Sequence, residues 1–402
     1  MSSTPITTHA HQVLKVTAFK APQTLMSAIY TFIIIGIITF ALGVFKNPER
    51  LWTSYLTAFF FFASLACGAL FFIAVNYTAK AGWSASIRRL AEAMTSYFPV
   101  MLLSSLVLIL GFKYLYAWGT PATMQHLAHS KQIYLAPWFV ITRLVIFGLG
   151  SLYFAKLIVG NSLKQDQSGD HALTYKNITY SIGYIAFFAI FFTMFSIDMM
   201  MSLLPTWYST IYGLYCFAAA IQATMAFLAI VIVWMRSSPW ISGYITEEHQ
   251  HDIGKFLKGF TVFWAYIAFS QFMLIWYANI PEETEFYIIR SLNGWMPVSF
   301  ALLIFRFIVP FLALLPRASK RSNSILIPIS ILVLVMQYVD LYWLVYPNFN
   351  DGVPKFGFWE VGIFLGFAGL FLLTMTQFMT KNSLVAVNDP RMHEAVKHHV
   401  TY

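Results

Sequence analysis

The stretch Ser196–Thr210 reads Ser-Ile-Asp-Met-Met-Met-Ser-Leu-Leu-Pro-Thr-Trp-Tyr-Ser-Thr and joins two long apolar segments. Pro205 cannot continue a helix but can open one, so we expect a short turn near Leu204–Thr206. Asp198 lies seven residues before Pro205, which places it about 10 Å below the turn. Inserting a carboxylate costs roughly 2.5–3.5 kcal/mol at the centre of a membrane helix, so neighbouring groups must stabilise it. A search for function therefore starts at Asp198.

The composition is that of an integral membrane protein. Hydrophobic residues make up 59% of the chain and charged residues 10%, against roughly 25% charged residues in soluble domains. Ten apolar runs are long enough to cross a bilayer. The predicted spans are Ser27–Phe45, Thr53–Val75, Tyr97–Ala117, Tyr134–Val159, Ser181–Met201, Trp207–Trp234, Phe260–Asn279, Trp295–Leu315, Ile325–Tyr346 and Phe358–Thr380. We therefore predict an all-α membrane domain over residues 27–380, with tails at 1–26 and 381–402.

The distribution of lysine and arginine predicts the orientation. Connections on the side of the two termini carry sixteen of these residues, and connections on the other side carry five. Because basic residues concentrate in cytoplasmic loops, we expect both termini in the cytoplasm and the turn after Asp198 outside. The net charge of +9 then belongs to one membrane face and gives no reason to expect a nucleic-acid partner.

The chain also shows signs of an internal duplication. Helices two to five can be laid over helices six to nine. Arg143 in the fourth helix then corresponds to Arg306 in the eighth. Asp198 corresponds to Asp340, which also lies seven residues before a proline. A shift of four helices preserves direction, which predicts parallel repeats that form two four-helix bundles, with helices one and ten at the periphery. The two predicted repeats are residues 53–201 and 207–346.

One arginine and one aspartate of each repeat can pair inside the membrane, because pairing offsets part of the desolvation penalty of each charge. Two interpretations follow. The pairs are structural and fix the helix register, or the buried carboxylates carry protons or contact a quinone head. Both stay open for Asp198, and the residues favour a structural role for Arg306 and Asp340. Proton movement through Asp198, supported by Arg143, is the hypothesis that we carry forward.

Further polar residues are expected near Asp198. Tyr208 follows the turn. Gln271 lies in the middle of the seventh helix, where it can bond another helix or a quinone carbonyl. That helix leads to Glu282 and Glu283, in the most acidic stretch of the chain. This stretch is a solvated loop, a proton exit or a docking face for a basic partner.

The histidines and cysteines, which usually hold redox cofactors, are not in positions where they could bind one inside the membrane. All ten histidines are predicted in tails or loops, which argues against a membrane haem b with paired histidine ligands. The segment Glu247–Asp252 is predicted to be a hydrated cytoplasmic loop, with a role in collecting protons left open. Cys67 and Cys216 fall in apolar runs and are too few for an iron–sulfur cluster or a four-cysteine zinc site. We therefore expect no cofactor to be bound by this chain alone.

Two long motifs resemble a known family. Ser196–Thr210 resembles the junction of the fifth and sixth helices in the ActF-type membrane protein of bacterial alternative complex III. Residues from Trp264 to Thr284 resemble its seventh helix and the loop that follows, and Val387–Arg391 also fits. The wider family is the NrfD or polysulfide-reductase type of membrane subunit, which has two four-helix bundles. The resemblance covers essentially the whole ten-helix pattern.

The resemblance implies a non-catalytic subunit of a quinol:cytochrome c, or similar acceptor, oxidoreductase in the bacterial inner membrane. The implied partners are a sister NrfD-like subunit, an iron–sulfur subunit and c-type cytochromes, which would hold haem c and the iron–sulfur clusters. The ActF-type protein itself is a candidate for binding a quinone or conducting protons. Two other classes stay open, the membrane anchor of a molybdenum-enzyme complex and a stand-alone secondary transporter. Against a transporter, none of the spans is interrupted by a Gly/Pro pair.

Overall fold

A computed structural model describes residues 15–119, 121–349 and 352–399. In these residues ten helices are long and apolar enough to cross a membrane, and strand is confined to one pair of two-residue segments. The predicted fold class, an all-α integral membrane protein, is confirmed. The spans are α1 (Gln23–Lys46), α2 (Pro48–Thr78), α3 (Gly82–Ile109), α4 (Pro137–Ser168), α5 (Ala172–Leu203), α6 (Tyr212–Arg236), α7 (Glu247–Ala278), α8 (Met296–Ala313), α9 (Asn323–Asn348) and α10 (Phe358–Lys381).

Short elements connect the spans. Strand β1 (Lys15–Val16) pairs antiparallel with β2 (Ile241–Ser242), which ties the N-terminal segment to the connection between α6 and α7. The short helices are Phe112–Leu115, Pro121–Gln125, His129–Tyr134, Pro281–Ile289, Arg317–Arg321 and Met392–Val396.

The spans form two four-helix groups, α2–α5 and α6–α9, which meet along α2 and α6. Every residue of α2 from Leu51 to Leu70 is buried, so this helix is surrounded by protein on all sides. Helix α1 packs on α10, and their backbones touch at two glycines. A Cβ added to Gly36 would lie 2.3 Å from the Cα of Gly366, so a larger residue there would separate the pair.

The turn between α5 and α6 is longer than predicted. A 3₁₀ turn at Met201–Leu203 ends α5, and α6 begins only at Tyr212, so Pro205 does not open a helix. A residue of the α3–α4 connection holds the intervening chain in place. Lys131 donates to the carbonyls of Pro205 and Thr206 at 2.9 and 3.0 Å. An extended turn can persist there since its carbonyls find a donor.

Two spans begin much earlier than their apolar runs indicate. Helix α7 starts at Glu247 and not near Phe260, and α3 starts at Gly82 and not near Tyr97. The prediction of a hydrated loop at Glu247–Asp252 is therefore wrong, since this segment forms the first turns of α7 and is mostly buried. Four histidines predicted in tails or loops lie in helices, namely His129, His249, His251 and His393.

The first turns of α3 are charged yet buried. Arg88 and Arg89, which the sequence places in a loop, are 4% and 1% exposed. Arg89 lies 2.6 Å from Glu92 on the same helix and 2.5 Å from Asp166 on α4, and Arg88 pairs with Asp389 of the C-terminal segment. Pairing of this kind lets a polar helix start lie inside the protein.

The C-terminal segment crosses the ends of α3 and α7. Asp389 contacts Arg88 of α3, and Nε2 of His398 lies 2.5 Å from Asp252 of α7. Because β1 packs at the same end, the described parts of both termini share one face of the domain. We call it the tail face, and the face with the α5–α6 turn the turn face. The compartment that each face meets stays a prediction.

Candidate functional site

Two buried arginine–aspartate pairs mark the interior of the membrane domain. Arg143 of α4 donates two hydrogen bonds to Asp198 of α5, at 2.7 and 2.8 Å. Arg306 of α8 lies 2.6 Å from Asp340 of α9. Each pair thus joins the third and fourth helices of its own group. The two pairs differ in what surrounds them.

The Arg143–Asp198 pair is closed, which here means buried and without room for water beside the two charges. The two side chains are 5% and 2% exposed. The guanidinium lies 4.0 and 4.3 Å from the ring centres of Tyr134 and Phe139, and it donates to the Tyr134 carbonyl at 2.8 Å. The hydroxyl of Ser202 donates to the backbone carbonyl of Asp198 and not to its carboxylate. A void lined by both charged side chains is too small for a water molecule. This is the geometry of a tight bidentate ion pair.

The Arg306–Asp340 pair belongs to a longer network. Both side chains are completely buried. The Tyr215 hydroxyl of α6 contacts the Asp340 carboxylate. The Arg306 guanidinium donates from Nε to Gln222 at 3.0 Å, and from Nη2 to Gln337. Asp340 and Arg306 are therefore held by side chains from two further positions in α6 and one in α9.

The network continues from α6 into α7. The Gln222 amide nitrogen donates to the Thr261 hydroxyl at 3.1 Å, and this hydroxyl donates to the Leu257 carbonyl at 2.8 Å. The ring of Trp264, one turn further along α7, lies 4.3 Å from the Arg306 guanidinium. Hydrogen bonds and ion pairs thus connect all four helices of the second group. We call Tyr215, Asp340, Arg306, Gln222, Gln337 and Thr261 the polar core.

Helix α8 is wound differently around Arg306. Residues Leu302–Ile308 form a π-helix, flanked by α-helical turns. Such segments occur mostly as local bulges and frequently at functional sites. The Gln222 amide nitrogen also approaches the Arg306 carbonyl at 3.4 Å. Gln222 therefore contacts both the side chain and the backbone of Arg306 where the helix is widened.

Two residues predicted near Asp198 lie elsewhere. Tyr208 is 56% exposed, and its ring lies 5.3 Å from the Lys131 ammonium. Gln271 is buried in α7, where it accepts from the Ser209 hydroxyl at 3.2 Å and donates to Tyr287 at 3.4 Å. Gln271 thus ties α7 to the turn between α5 and α6. The structure does not place either residue against the Asp198 carboxylate.

The acidic stretch is helical and not a loop. Glu282 and Glu283 lie in the first turn of the helix Pro281–Ile289, where carboxylates interact favourably with the helix dipole. Glu282 is exposed and Glu283 is half-buried. The Glu283 carbonyl accepts from the Trp207 indole at 3.0 Å, so this helix is attached to the α5–α6 turn on the turn face.

A buried cation lies beside the polar core, in the connection between α7 and α8. Arg290 is 2% exposed and donates to the carbonyls of Trp343 and Leu344 at 3.0 and 2.7 Å. Burial lowers the pKa of Arg290 to about 10, against the opposing influence of nearby tyrosines and of Asp340. The guanidinium therefore stays charged at neutral pH and adds a second positive charge near the Asp340 carboxylate.

The buried amides of the polar core also have a signal in the sequence. A glutamine inside an apolar span needs a partner, usually on another helix. That reasoning singled out Gln271 but applies equally to Gln222 and Gln337. Gln337 also lies three residues before Asp340, on the same helical face. No sequence feature distinguishes Tyr215 from the other tyrosines of the chain.

Cys67 and Cys216 are buried free thiols. Within residues 15–119, 121–349 and 352–399, no group of three or more His, Cys, Asp or Glu side chains is placed to hold a metal ion.

No protein-family model matches the chain, and no curated protein matches it. A function must therefore be inferred from the residues and their arrangement.

Proposed function

We propose that the chain is a non-catalytic membrane subunit of a quinol-oxidising respiratory complex of the alternative complex III type, and that its polar core conducts protons. The observation that supports the proton role is the buried Asp340 carboxyl in contact with the Tyr215 hydroxyl, with Arg306 and Gln222 holding the carboxyl in place. Buried acids in connected polar chains are typical of proton relays in membrane proteins.

Asp340 has the surroundings that a relay acid needs. Burial favours the neutral acid, whereas a neighbouring cation favours the carboxylate. Asp340 is fully buried and faces Arg306 directly, with Arg290 as a further cation nearby. The Tyr215 hydroxyl on the carboxylate can both donate and accept a proton. Burial and the neighbouring cations act in opposite directions on the protonation of the carboxyl, so neither its protonated nor its ionised form is strongly disfavoured.

Asp198 is less suited to the same role. Its two carboxylate oxygens accept from one guanidinium, with the Tyr134 side chain as a further neighbour, and the void beside the pair has no room for a water molecule. The sequence favours proton movement at Asp198 and structure at Asp340, and the geometry favours the reverse. We therefore assign the proton path to Asp340 and a structural ion pair to Asp198.

The remaining parts of the proposal rest on the two family-like motifs. Electron transfer to cytochrome c or a similar acceptor, haem c and the iron–sulfur clusters would belong to partner subunits. The complex would lie in a bacterial inner membrane with the tail face in the cytoplasm. The acidic first turn of Pro281–Ile289, on the opposite face, would then be available to a basic partner outside the cytoplasm.

Purification from the native membrane in a mild detergent tests the proposal. The account predicts that the chain co-purifies with subunits that stain for covalently bound haem and contain iron–sulfur clusters. A molybdenum-containing partner would identify an anchor of a different oxidoreductase. A chain that purifies alone would support a secondary transporter. Either of these two outcomes contradicts the proposal.

A further inference from the structure

The two matching arginines lie in helices that are wound differently. Arg143 lies in α4, which is one continuous α-helix. Arg306 lies in α8, where Leu302–Ile308 are wound as a π-helix and the N–H of Val309 donates to the carbonyl five residues back. A π-turn holds one residue more than an α-turn, so it rotates the two parts of a helix against each other by about 100°. The two buried pairs therefore differ in their backbone as well as in their neighbours.

The sequence contains one difference that accounts for the winding. The residue four positions after Arg143 is Phe147, and the residue four positions after Arg306 is Pro310. In an α-helix the N–H of each residue bonds the carbonyl four residues before it. Pro310 has no N–H, and its ring would collide with the Arg306 carbonyl. Pro310 therefore disfavours an α-helical turn at Arg306, whereas Phe147 permits one at Arg143.

The carbonyl that Pro310 cannot bond has a donor on another helix. The Gln222 amide nitrogen of α6 approaches the Arg306 carbonyl oxygen at 3.4 Å, and the Gln222 amide oxygen accepts from the Arg306 Nε at 3.0 Å. Gln222 is fully buried, and a buried carbonyl needs a partner. One glutamine thus holds both the backbone and the side chain of this arginine, because Pro310 does not occupy the carbonyl.

Helix α8 has only a narrow contact with the rest of the protein. Its buried residues are Leu302, Arg306 and Pro310, which follow one another at intervals of four, and the residues from 303 to 305 are exposed. A helix held along so narrow a stripe has no broad packed face to fix its rotation. The direction of the Arg306 side chain therefore depends on its own contacts and on the winding of the helix.

We propose that Pro310 is a positioning residue of the polar core. By preventing an α-helical turn, it keeps the Arg306 guanidinium directed at Asp340 and the Arg306 carbonyl available to Gln222. Alanine at position 310 would supply the missing N–H, and regular winding would turn Arg306 away from Asp340. This positioning does not depend on a respiratory role, whereas its consequence for proton release rests on the proposed function.

The winding of α8 in a Pro310→Ala complex tests the proposal directly. Cryo-electron microscopy of the native and variant complexes in lipid nanodiscs shows whether residues 302–308 are α-helical or π-helical. We expect an α-helix in the variant. The separation of Arg306 and Asp340, 2.6 Å in the native structure, should then exceed about 4 Å, the limit of an ion pair.

Two further variants accompany Pro310→Ala. Pro310→Gly also restores the N–H and should give the same winding, so the test does not depend on a single substitution. Pro328→Ala is the matched control, because Pro328 lies inside α9, another membrane helix, where the winding is α-helical. This control should leave the π-segment and the contact between Arg306 and Asp340 unchanged.

Infrared spectroscopy measures the consequence for Asp340. A protonated carboxyl group has its own stretching band, and the band that an Asp340→Asn complex lacks belongs to Asp340. Without the adjacent guanidinium the carboxylate is less stabilised. In the Pro310→Ala complex the ratio of acid to carboxylate at a given pH should therefore rise at least about tenfold, the equivalent of about one pH unit. Pro328→Ala should show the native ratio, and a merely structural role of Pro310 would not change it.

Two results would overturn the positioning role. One is a Pro310→Ala complex that keeps both the π-segment and the contact between Arg306 and Asp340. The other is a complex with an α-helical α8 in which Asp340 keeps its native ratio of acid to carboxylate.

Proton release separates this inference from the proposed function. A Pro310→Ala complex with rewound α8 and altered Asp340 protonation, but with full proton release, would refute the proton path and support the positioning role. Unchanged winding in Pro310→Ala, together with lost proton release in Asp340→Asn, would refute the positioning role and leave the proposed function standing.

Discussion

The Asp340 carboxylate lies 2.6 Å from the Arg306 guanidinium, and neither side chain is exposed. The corresponding pair of the other group, Arg143 and Asp198, is nearly as buried but closed on itself. Two pairs that occupy matching helices thus have different surroundings. The difference lies in Tyr215 and in Gln222 with its contact to Thr261, which extend the second pair into two further membrane spans, whereas Arg143 reaches the short helix that ends at Tyr134.

Asp198→Asn tests the structural role of the closed pair. The variant leaves the buried Arg143 without its anionic partner, a change that typically costs 3–5 kcal/mol. We expect poor assembly and a lower thermal midpoint of the purified complex, measured by differential scanning fluorimetry. The double variant Asp198→Asn/Arg143→Gln removes both charges and should recover part of the loss. A stable, fully assembled Asp198→Asn complex that has lost proton release would instead support the sequence-based hypothesis for Asp198.

Gln222→Leu tests the link between Arg306 and α7. The substitution keeps the approximate volume but removes the acceptor of the Arg306 Nε and the donor to Thr261, at a cost of about 1–3 kcal/mol. We expect an assembled complex with normal cofactors and weaker proton release per quinol. Gln165→Leu is the matched control, because Gln165 is also buried but pairs with Thr174 in the first group. Equal proton release from both variants would show that Gln222 does not hold Arg306 and Asp340 in the arrangement that proton transfer requires.

Charge reversal in the acidic turn tests partner docking. Replacing Glu282, Glu283 and Glu285 with lysine should reduce recovery of the partner subunits, and more so at low salt, where exposed charges are screened less. Quantitative mass spectrometry of the purified complex measures the recovery. Glu49→Lys, an exposed reversal near the start of α2, is the control for a charge reversal at another surface site. Unchanged recovery for the triple variant would make this turn ordinary solvated surface.

A reporter fused after Tyr402 tests the orientation. The sixteen-to-five distribution of basic residues predicts that the tail face meets the cytoplasm. A fluorescent protein that matures only in the cytoplasm should therefore be active at this site, and an alkaline phosphatase fusion should be inactive. The reverse pattern would place the acidic turn on the cytoplasmic side and remove the proposed docking of an outside partner.

Hydrophobic runs predicted the number and order of the spans, because burial in lipid requires a minimum apolar length. They could not predict where α3 and α7 begin, since both starts are charged. Arg88 pairs with Asp389, and Asp252 contacts His398, both from a C-terminal segment far away in sequence. Contacts of this kind depend on the finished packing and leave no local pattern.

The candidate site, like the fold, was predictable from the sequence only in part. The internal duplication matches Arg143 with Arg306 and Asp198 with Asp340, and the structure pairs each arginine with the aspartate of its own group. The sequence could not distinguish a closed pair from an extended one, because that depends on whether Gln222 faces α8. A cleft beside Trp83 was equally hidden, since the first turn of α3, α6, α7 and the C-terminal segment all contribute to it.

The central claim is that protons pass through Asp340. Asp340→Asn keeps the size and hydrogen-bonding capacity of the side chain but removes its titration. Arg306 should tolerate the change better than Arg143 would, because two glutamine oxygens and the Trp264 ring still face its guanidinium. Ser330→Ala is the control, a substitution at another buried polar position on α9.

The decisive measurement is proton release per quinol oxidised, made in liposomes on complexes of verified subunit and cofactor composition. Quinol oxidation itself frees two protons per quinol, so we expect the Asp340→Asn complex to assemble with its cofactors and to lose the protons released beyond those two, while Ser330→Ala releases protons normally. An intact Asp340→Asn complex with full proton release would contradict the proton path proposed here.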